Sequence, residues 1–121
     1  MKASIVTKYS DICAFCGSPT RTKHHLVFGT SERKVADRDG LWIPVCDDCH
    51  NMGRLSSHPV RGHGTMIIHG NVMAEMMSKM IGQLAWEKEY YRSICIDRGL
   101  KEITEDDSRV AFRDRYGRSY L

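Results

Sequence analysis

Cys13-Ala14-Phe15-Cys16, Lys23-His24-His25-Leu26 and Cys46-Asp47-Asp48-Cys49-His50 are the stretches that decide how this chain is read. Two CxxC units about thirty residues apart suit one tetrahedral zinc ion bound by Cys13, Cys16, Cys46 and Cys49. Four thiolates form a closed shell that selects zinc and leaves no position for substrate. Such a site is structural, and it replaces part of the core that a chain of 121 residues lacks. The histidines lie outside that count. His24 and His25 fall between the knuckles, and His50 directly follows the last cysteine. Zinc clamping the base of the unit would gather these imidazoles, which suggests a second metal with open positions and hydrolytic chemistry.

Working outward, Tyr9 to Thr20 reads as a zinc knuckle in which Gly17-Ser18-Pro19 turns the chain. His25-Leu26-Val27-Phe28 is a β-prone run ending at Gly29, and Leu41-Trp42-Ile43-Pro44-Val45 is a second strand candidate feeding into Cys46. Pro44 has no N–H to donate, so that strand is an edge or ends there. The two strands predict a hairpin whose open ends are held by the knuckles. Ser31 to Gly40 reads as a charged connection carrying Arg33, Lys34 and Arg38. Asn51 to Met66, with Gly53, Pro59, Gly62 and Gly64, reads as a loop, and its His58 and His63 are expected to be loop residues rather than ligands. From Asn71, a plausible N-cap, a long helix begins. Val72, Met76, Met80 and Leu84 form one ridge, and Met73, Met77, Ile81 and Ala85 form its neighbour. The methionines are expected to fill the core. Cys95 is expected to be a small buried hydrophobe, and Gly99 to mark the helix end. Thr104-Glu105-Asp106-Asp107 starts a shorter helix with Val110, Phe112 and Tyr116 on its buried side.

The expected fold is a single α+β domain over residues 1–121. Residues 9–70 form a zinc-clamped hairpin core, and residues 71–121 a helical part packed on it. A hydrophobic content of 41% with 27% charged residues describes an ordinary globular chain. No stretch approaches the ~20 apolar residues of a membrane span. Met1 to Val6 lacks the apolar region of a secretory signal, which predicts a cytosolic (cytoplasmic) location. In a reducing cytosol, cysteines at CxxC spacing are expected to bind metal rather than form disulfides. Two copies beside histidines also argue against a thioredoxin-like redox motif. Net charge is +3. Residues 1–70 carry nine Lys/Arg against six Asp/Glu together with all six histidines, while residues 71–121 balance at nine against nine. A mildly basic front half suits phosphates or a mixed solvated surface equally well.

The double histidine, the second strand and Cys46-Asp47-Asp48-Cys49-His50 together resemble the HNH (ββα-metal) nucleases. His24-His25-Leu26-Val27-Phe28-Gly29, Asp39-Gly40-Leu41-Trp42, Ile68-His69-Gly70-Asn71, Gly82-Gln83-Leu84-Ala85-Trp86-Glu87 and residues 112–121 further resemble small phage-encoded HNH-like proteins. The resemblance implies a ββα-metal core followed by a long helix and a shorter one. It implies a metal-dependent DNA endonuclease in phage DNA processing or recombination, located in the host cell cytoplasm and acting as a monomer or homodimer. His24, His50 and His69 would hold a divalent cation (Mg²⁺, Mn²⁺, Ni²⁺ or Zn²⁺), with His58 in reserve for His69, and His25 would be the general base. Arg33, Lys34, Arg38 and Arg54 are candidate phosphate contacts that would position rather than read sequence, or equally the charges of a solvated face. Many members place an Asn at the start of the second strand to orient the base. Here that position reads Asp39-Gly40, so Asp39 or a loop carbonyl is expected to take the role. The alternative is a non-catalytic zinc-stabilised module that binds DNA or a protein and retains the fold.

Overall fold

A computed structural model describes residues 2–47, 49–50, 68–69, 72–97, 99 and 104–121. The elements run β1 (Lys23–His25), α1 (Glu32–Asp39), β2 (Trp42–Pro44), α2 (Val72–Arg92) and α3 (Glu105–Tyr116). β1 and β2 pair antiparallel with His24 opposite Ile43 and His25 opposite Trp42. Both strands are shorter than their sequence runs suggest. β2 spans Trp42–Pro44. Pro44 lies opposite Lys23 at a pair that exchanges no ladder hydrogen bond, so its missing N–H faces the open edge, and the Val45 N–H still donates to the Thr22 carbonyl at 3.1 Å. β1 stops at His25, yet the Leu26 N–H still donates to the Leu41 carbonyl at 2.9 Å.

The charged connection between the strands is a helix, not a loop. Residues 32–39 contain no Gly or Pro, Glu32 stands in the first turn and Arg38 in the last, and both signs suit the helix dipole. Gly40 ends it in the left-handed region at φ +73°. A side chain there would also strike the Ala3 carbonyl, because the N-terminal segment crosses at this point. The Ile5 N–H donates to the Gly40 carbonyl, Ser4 Oγ to the Trp42 carbonyl, and Trp42 Nε1 to the Lys2 carbonyl. Ala36 is α1's buried residue, facing Val27, Leu41, Phe112 and Tyr116.

α2 corrects the expectation of a methionine-filled core. Val72, Met73, Met76, Met77, Met80, Ile81 and Leu84 are all exposed, from 37% at Met80 to 77% at Val72. The buried stripe is instead Ser78, Gly82, Gln83 and Glu87. Small or hydrogen-bonding residues are needed there because α2 comes very close to the hairpin's end and to the C-terminal tail. Gln83 is fully buried, donates to Glu87 and Ser119, and accepts from the Tyr120 N–H at 2.6 Å. All of its strong hydrogen-bonding directions toward the tail are thereby used. Arg109 of α3 pairs with Glu87 at 3.3 Å.

α2 runs on through a π-helical turn, Ser93–Asp97, in which Ile94 is buried and Cys95 only half-buried, short of the full burial expected. Gly99 follows at φ +68°, as a helix stop requires. α3 begins at Thr104, whose N–H and hydroxyl both reach the Asp107 carboxylate. Its buried residues are Ser108, Phe112 and Tyr116, while Val110 faces solvent. No helix among the described residues is long and apolar enough to cross a membrane.

Candidate metal centres

Two clusters of metal-ligating side chains stand side by side. In the first, Cys13 Sγ lies 3.5 Å from Cys49 Sγ, and Cys16 Sγ 3.7 Å from Cys46 Sγ. Thiolates around tetrahedral zinc at ~2.3 Å are separated by about 3.8 Å, so the spacing fits. The four cysteines can hold one structural metal ion such as zinc. Local hydrogen bonds build the cradle. The Cys13 N–H donates to the Ser18 carbonyl and the Gly17 N–H to the Cys13 carbonyl, with Gly17 at φ +77°. The Ala14 N–H donates to the Pro44 carbonyl and so ties the first knuckle to β2. Val45 and Ile68 are buried against the sulfurs and form a second small core. Burial raises the Cys13 thiol, but the N–H groups of Cys46, Cys16 and Phe15 outweigh it and bring the group down to about 7. Burial pushes Cys46 and Cys49 up. Donors aimed at sulfur are what a bound thiolate requires.

The second cluster is built from β1, the turn after Cys49, and the segment at residues 68–69. Period-two alternation sends His24 inward toward α2 and His25 to the opposite face against α1. The His69 N–H donates to the His50 carbonyl at 3.2 Å, which sets those two side chains together. His50 Nε2 lies 3.1 Å from His24 Nδ1 and 2.9 Å from His69 Nε2. For His24 and His69, the ring's remaining contact fixes which nitrogen faces the cluster. Ser78 donates to the Leu26 carbonyl at 2.8 Å, so it accepts from His24 Nε2–H at 2.7 Å. That leaves the His24 Nδ1 lone pair facing the cluster. Glu75 accepts from His69 Nδ1–H at 3.2 Å, leaving Nε2 facing the cluster. Burial, then the charges of His50, His69 and His25, hold His24 far below the ordinary imidazole range, at about 3. Burial and His69 lower His50 as well. The three rings bring one nitrogen each close enough together that they could hold a metal ion, with Ser78 and Glu75 bonded to the outer nitrogens of His24 and His69. Phe28 covers one side, its ring 5.6 Å from His24 and 4.9 Å from His69.

The sequence did not single out two of these supports. Ser78 and Glu75 sit on one side of α2, three residues apart, where the apolar ridges drew attention elsewhere. A third is Asp37, which accepts from His25 Nε2 at 3.0 Å. That hydrogen bond holds the Asp37 carboxyl below its usual range. Asp39, the residue expected to orient His25, does something else. It accepts from Trp86 Nε1 (2.9 Å), Arg115 Nε (2.7 Å) and the Tyr116 hydroxyl (2.8 Å), and so locks α1 to α2 and α3. Helical periodicity places Asp37 and Asp39 on different sides of α1, and Asp37 is the one toward β1.

A cavity of about 250 Å³ opens over the cluster, lined by Lys23, His24, His25, Phe28, Arg33, His50 and His69. Arg33 therefore stands at the site, while Lys34 and Arg38 are exposed on α1 and do not line it. Arg54, His58 and His63 lie outside the described residues. Compared with protein-family models, curated proteins and solved structures, the chain finds no match in any of the three.

Proposed function

We propose that this chain is a metal-dependent endonuclease of the HNH type that hydrolyses a phosphodiester of DNA. The supporting observation is the division of labour between adjacent histidines. His24 joins His50 and His69 in a three-nitrogen cluster, while His25 points away from it onto a carboxylate. Three imidazole ligands would leave open positions and suit Mg²⁺, Mn²⁺, Ni²⁺ or Zn²⁺. A bound divalent cation supplies charge stabilisation for the phosphoryl and leaving oxygens.

The chain's own residues do the rest. With Nε2–H donated to Asp37, His25 presents the Nδ1 lone pair as its basic nitrogen. His25 takes a proton from water as the water oxygen bonds to phosphorus. The bond from phosphorus to the leaving sugar oxygen breaks, and that oxygen is protonated from solvent. Asp37 keeps the ring in one tautomer and stabilises the imidazolium that forms. Arg33, on the cavity wall, is placed to hold the phosphate.

Plasmid nicking by wild type and His25→Ala, with and without Mg²⁺, Mn²⁺ or Ni²⁺, tests this once both proteins are shown to carry equal zinc. Metal-dependent cleavage reduced on the order of 10²–10⁴-fold in His25→Ala is the expected result. Absence of cleavage by wild type on plasmid and branched DNA, with zinc retained, would leave a non-catalytic zinc-stabilised binding module.

A further inference from the structure

Next to the histidine cavity lies a larger cleft of about 590 Å³, roofed by the N-terminal segment and floored by Trp42. Lys2, Lys8, Arg21 and Lys23 line it, with Asp11 the only acidic residue among the described residues of its wall. Four cations against one anion is a marked concentration in a chain whose net charge is only +3. Lys23 lines both cavities, so the cleft and the histidine site adjoin at this side chain. Its ammonium lies 4.1 Å from the Trp42 ring centroid, which holds the charge at the boundary between the two. Arg33 also lines the histidine cavity. Basic residues therefore border both cavities, Arg33 and Lys23 at the histidines and Lys2, Lys8, Arg21 and Lys23 in the cleft, while the Asp37 and Glu75 carboxylates are bonded to His25 and His69.

We propose that this N-terminal cleft is the binding track for a nucleic-acid strand leading into the histidine site. The reading deepens the nuclease proposal and rests on it for the choice of a phosphodiester backbone over other polyanions. The cleft offers charge without a set of buried base-reading groups, so its contacts position the strand rather than read sequence. It also assigns a purpose to Lys2, Lys8 and Arg21, none of which belongs to α1.

The test uses zinc-loaded full chain carrying His25→Ala, so that bound oligonucleotide is not cut. Fluorescence anisotropy with a labelled oligonucleotide is recorded across a salt series. Adding Lys8→Ala and Arg21→Ala should lower affinity at least tenfold and reduce the slope of log affinity against log salt by about 1.5–2. Lys88→Ala with Arg113→Ala removes equal charge from α2 and α3 and should leave that slope unchanged. An unchanged slope in the cleft variant, or displacement of the oligonucleotide by polyglutamate at equal charge concentration, overturns the proposal. The two readings fail separately. Wild type that cleaves DNA with an unaltered cleft variant sinks the track alone. Weakened binding in the cleft variant of a protein that never cleaves sinks the nuclease alone.

A second inference rests on a different observation, the apolar face of α2. Its seven exposed side chains present on the order of 700 Å² of contiguous surface, close to the about 800 Å² each partner gives a standard interface. Met73, Met77, Met80 and Leu84 follow the four-three-four spacing of a helix–helix seam, with Met76 and Ile81 beside it. None of these residues carries charge, so the face suits no polyanion. We infer that a second copy of this chain covers it, α2 against α2 about a two-fold axis, since one self-complementary surface then suffices. Light scattering on the zinc-loaded chain should give a dimer, and Met77→Glu with Met80→Glu a monomer of equal zinc content and helicity. A monomeric wild type at 100 μM or a dimeric double variant overturns this, and in the first case the face belongs to a different protein.

Discussion

Gly82→Ala probes the contact on which the histidine cluster depends. Gly82 sits mid-way along α2, where the helix crosses the end of the hairpin. A Cβ there would lie 2.9 Å from Leu26 Cβ and 3.1 Å from Val27 Cγ2. Leu26 Cβ is attached directly to backbone beside His25, so it cannot retreat by rotating a side chain. One turn earlier on α2, Ser78 bridges the Leu26 carbonyl and His24 Nε2 at 2.8 and 2.7 Å. The added methyl group would wedge the helix away where those two short bonds are made. Helix propensity favours Ala over Gly by about 1 kcal/mol. Against this stand overpacking, about 1–3 kcal/mol, and two weakened buried hydrogen bonds, about 1 kcal/mol each. The net is a destabilisation of about 3 kcal/mol, or a melting temperature lower by roughly 12 °C for a domain of this size. Thermal unfolding of the zinc-loaded proteins measures it, and Ni²⁺ titration of the histidine site should show weaker binding in the same variant. A Gly82→Ala protein that melts at or above wild type would refute the close approach, because only the propensity gain would then remain.

Asp37→Asn should lower single-turnover cleavage on the order of tenfold while zinc content and metal affinity at the histidines stay unchanged, because its effect passes through His25. Equal rates would remove Asp37 from the mechanism. Asp39→Ala leaves the Trp86 and Tyr116 donors without their acceptor in a largely buried setting, and urea unfolding at neutral pH should show a loss of about 2–3 kcal/mol. For the thiolate site, Cys46 and Cys49 are held above their ordinary range by burial, so both keep their protons at neutral pH until metal displaces them. With Cys13 near 7 adding a further fraction, at least two displaced protons make apparent zinc affinity fall at least about a hundredfold for each pH unit lowered, which chelator competition at pH 6.5 and 7.5 measures. A change below tenfold contradicts that proton count.

The knuckles, the hairpin and the long helix were legible because each is written locally. CxxC spacing fixes a turn, a β-prone run ends at a proline, and four-residue ridges mark a helix. What the ridges could not say is which side of α2 is covered. Periodicity reports that apolar residues share a face, whereas burial depends on how closely neighbouring elements approach. α2 meets the Leu26 backbone through Ser78 and Gly82, and side chains larger than these would not fit there. The tail reaches α2 through Gln83, whose amide supplies two donors and an acceptor to groups that methionine would leave unpaired. Close approach thus selects small and polar residues for the buried side and leaves Met73, Met77 and Met80 outside.

The same distinction separates the histidines from their supports. His24, His25, His50 and the cysteines occur in runs whose spacing is itself the signal, and strand alternation alone foretells that His24 and His25 part company. Asp37 has no such signature, because its part depends on reading residues 32–39 as a helix. The signals were present: an acidic first turn, no Gly or Pro inside, and Gly40 directly after. Once α1 is helical, residues two apart face different ways, so Asp37 and Asp39 cannot share a partner. One then faces β1 and the other faces α2 and α3. An orienting carboxylate for His25 therefore follows from the helix geometry rather than from the position of Asp39 at the mouth of the second strand. Ser78 follows by the same argument from the other side, since the inward histidine of β1 meets whichever face of α2 is small enough to reach it.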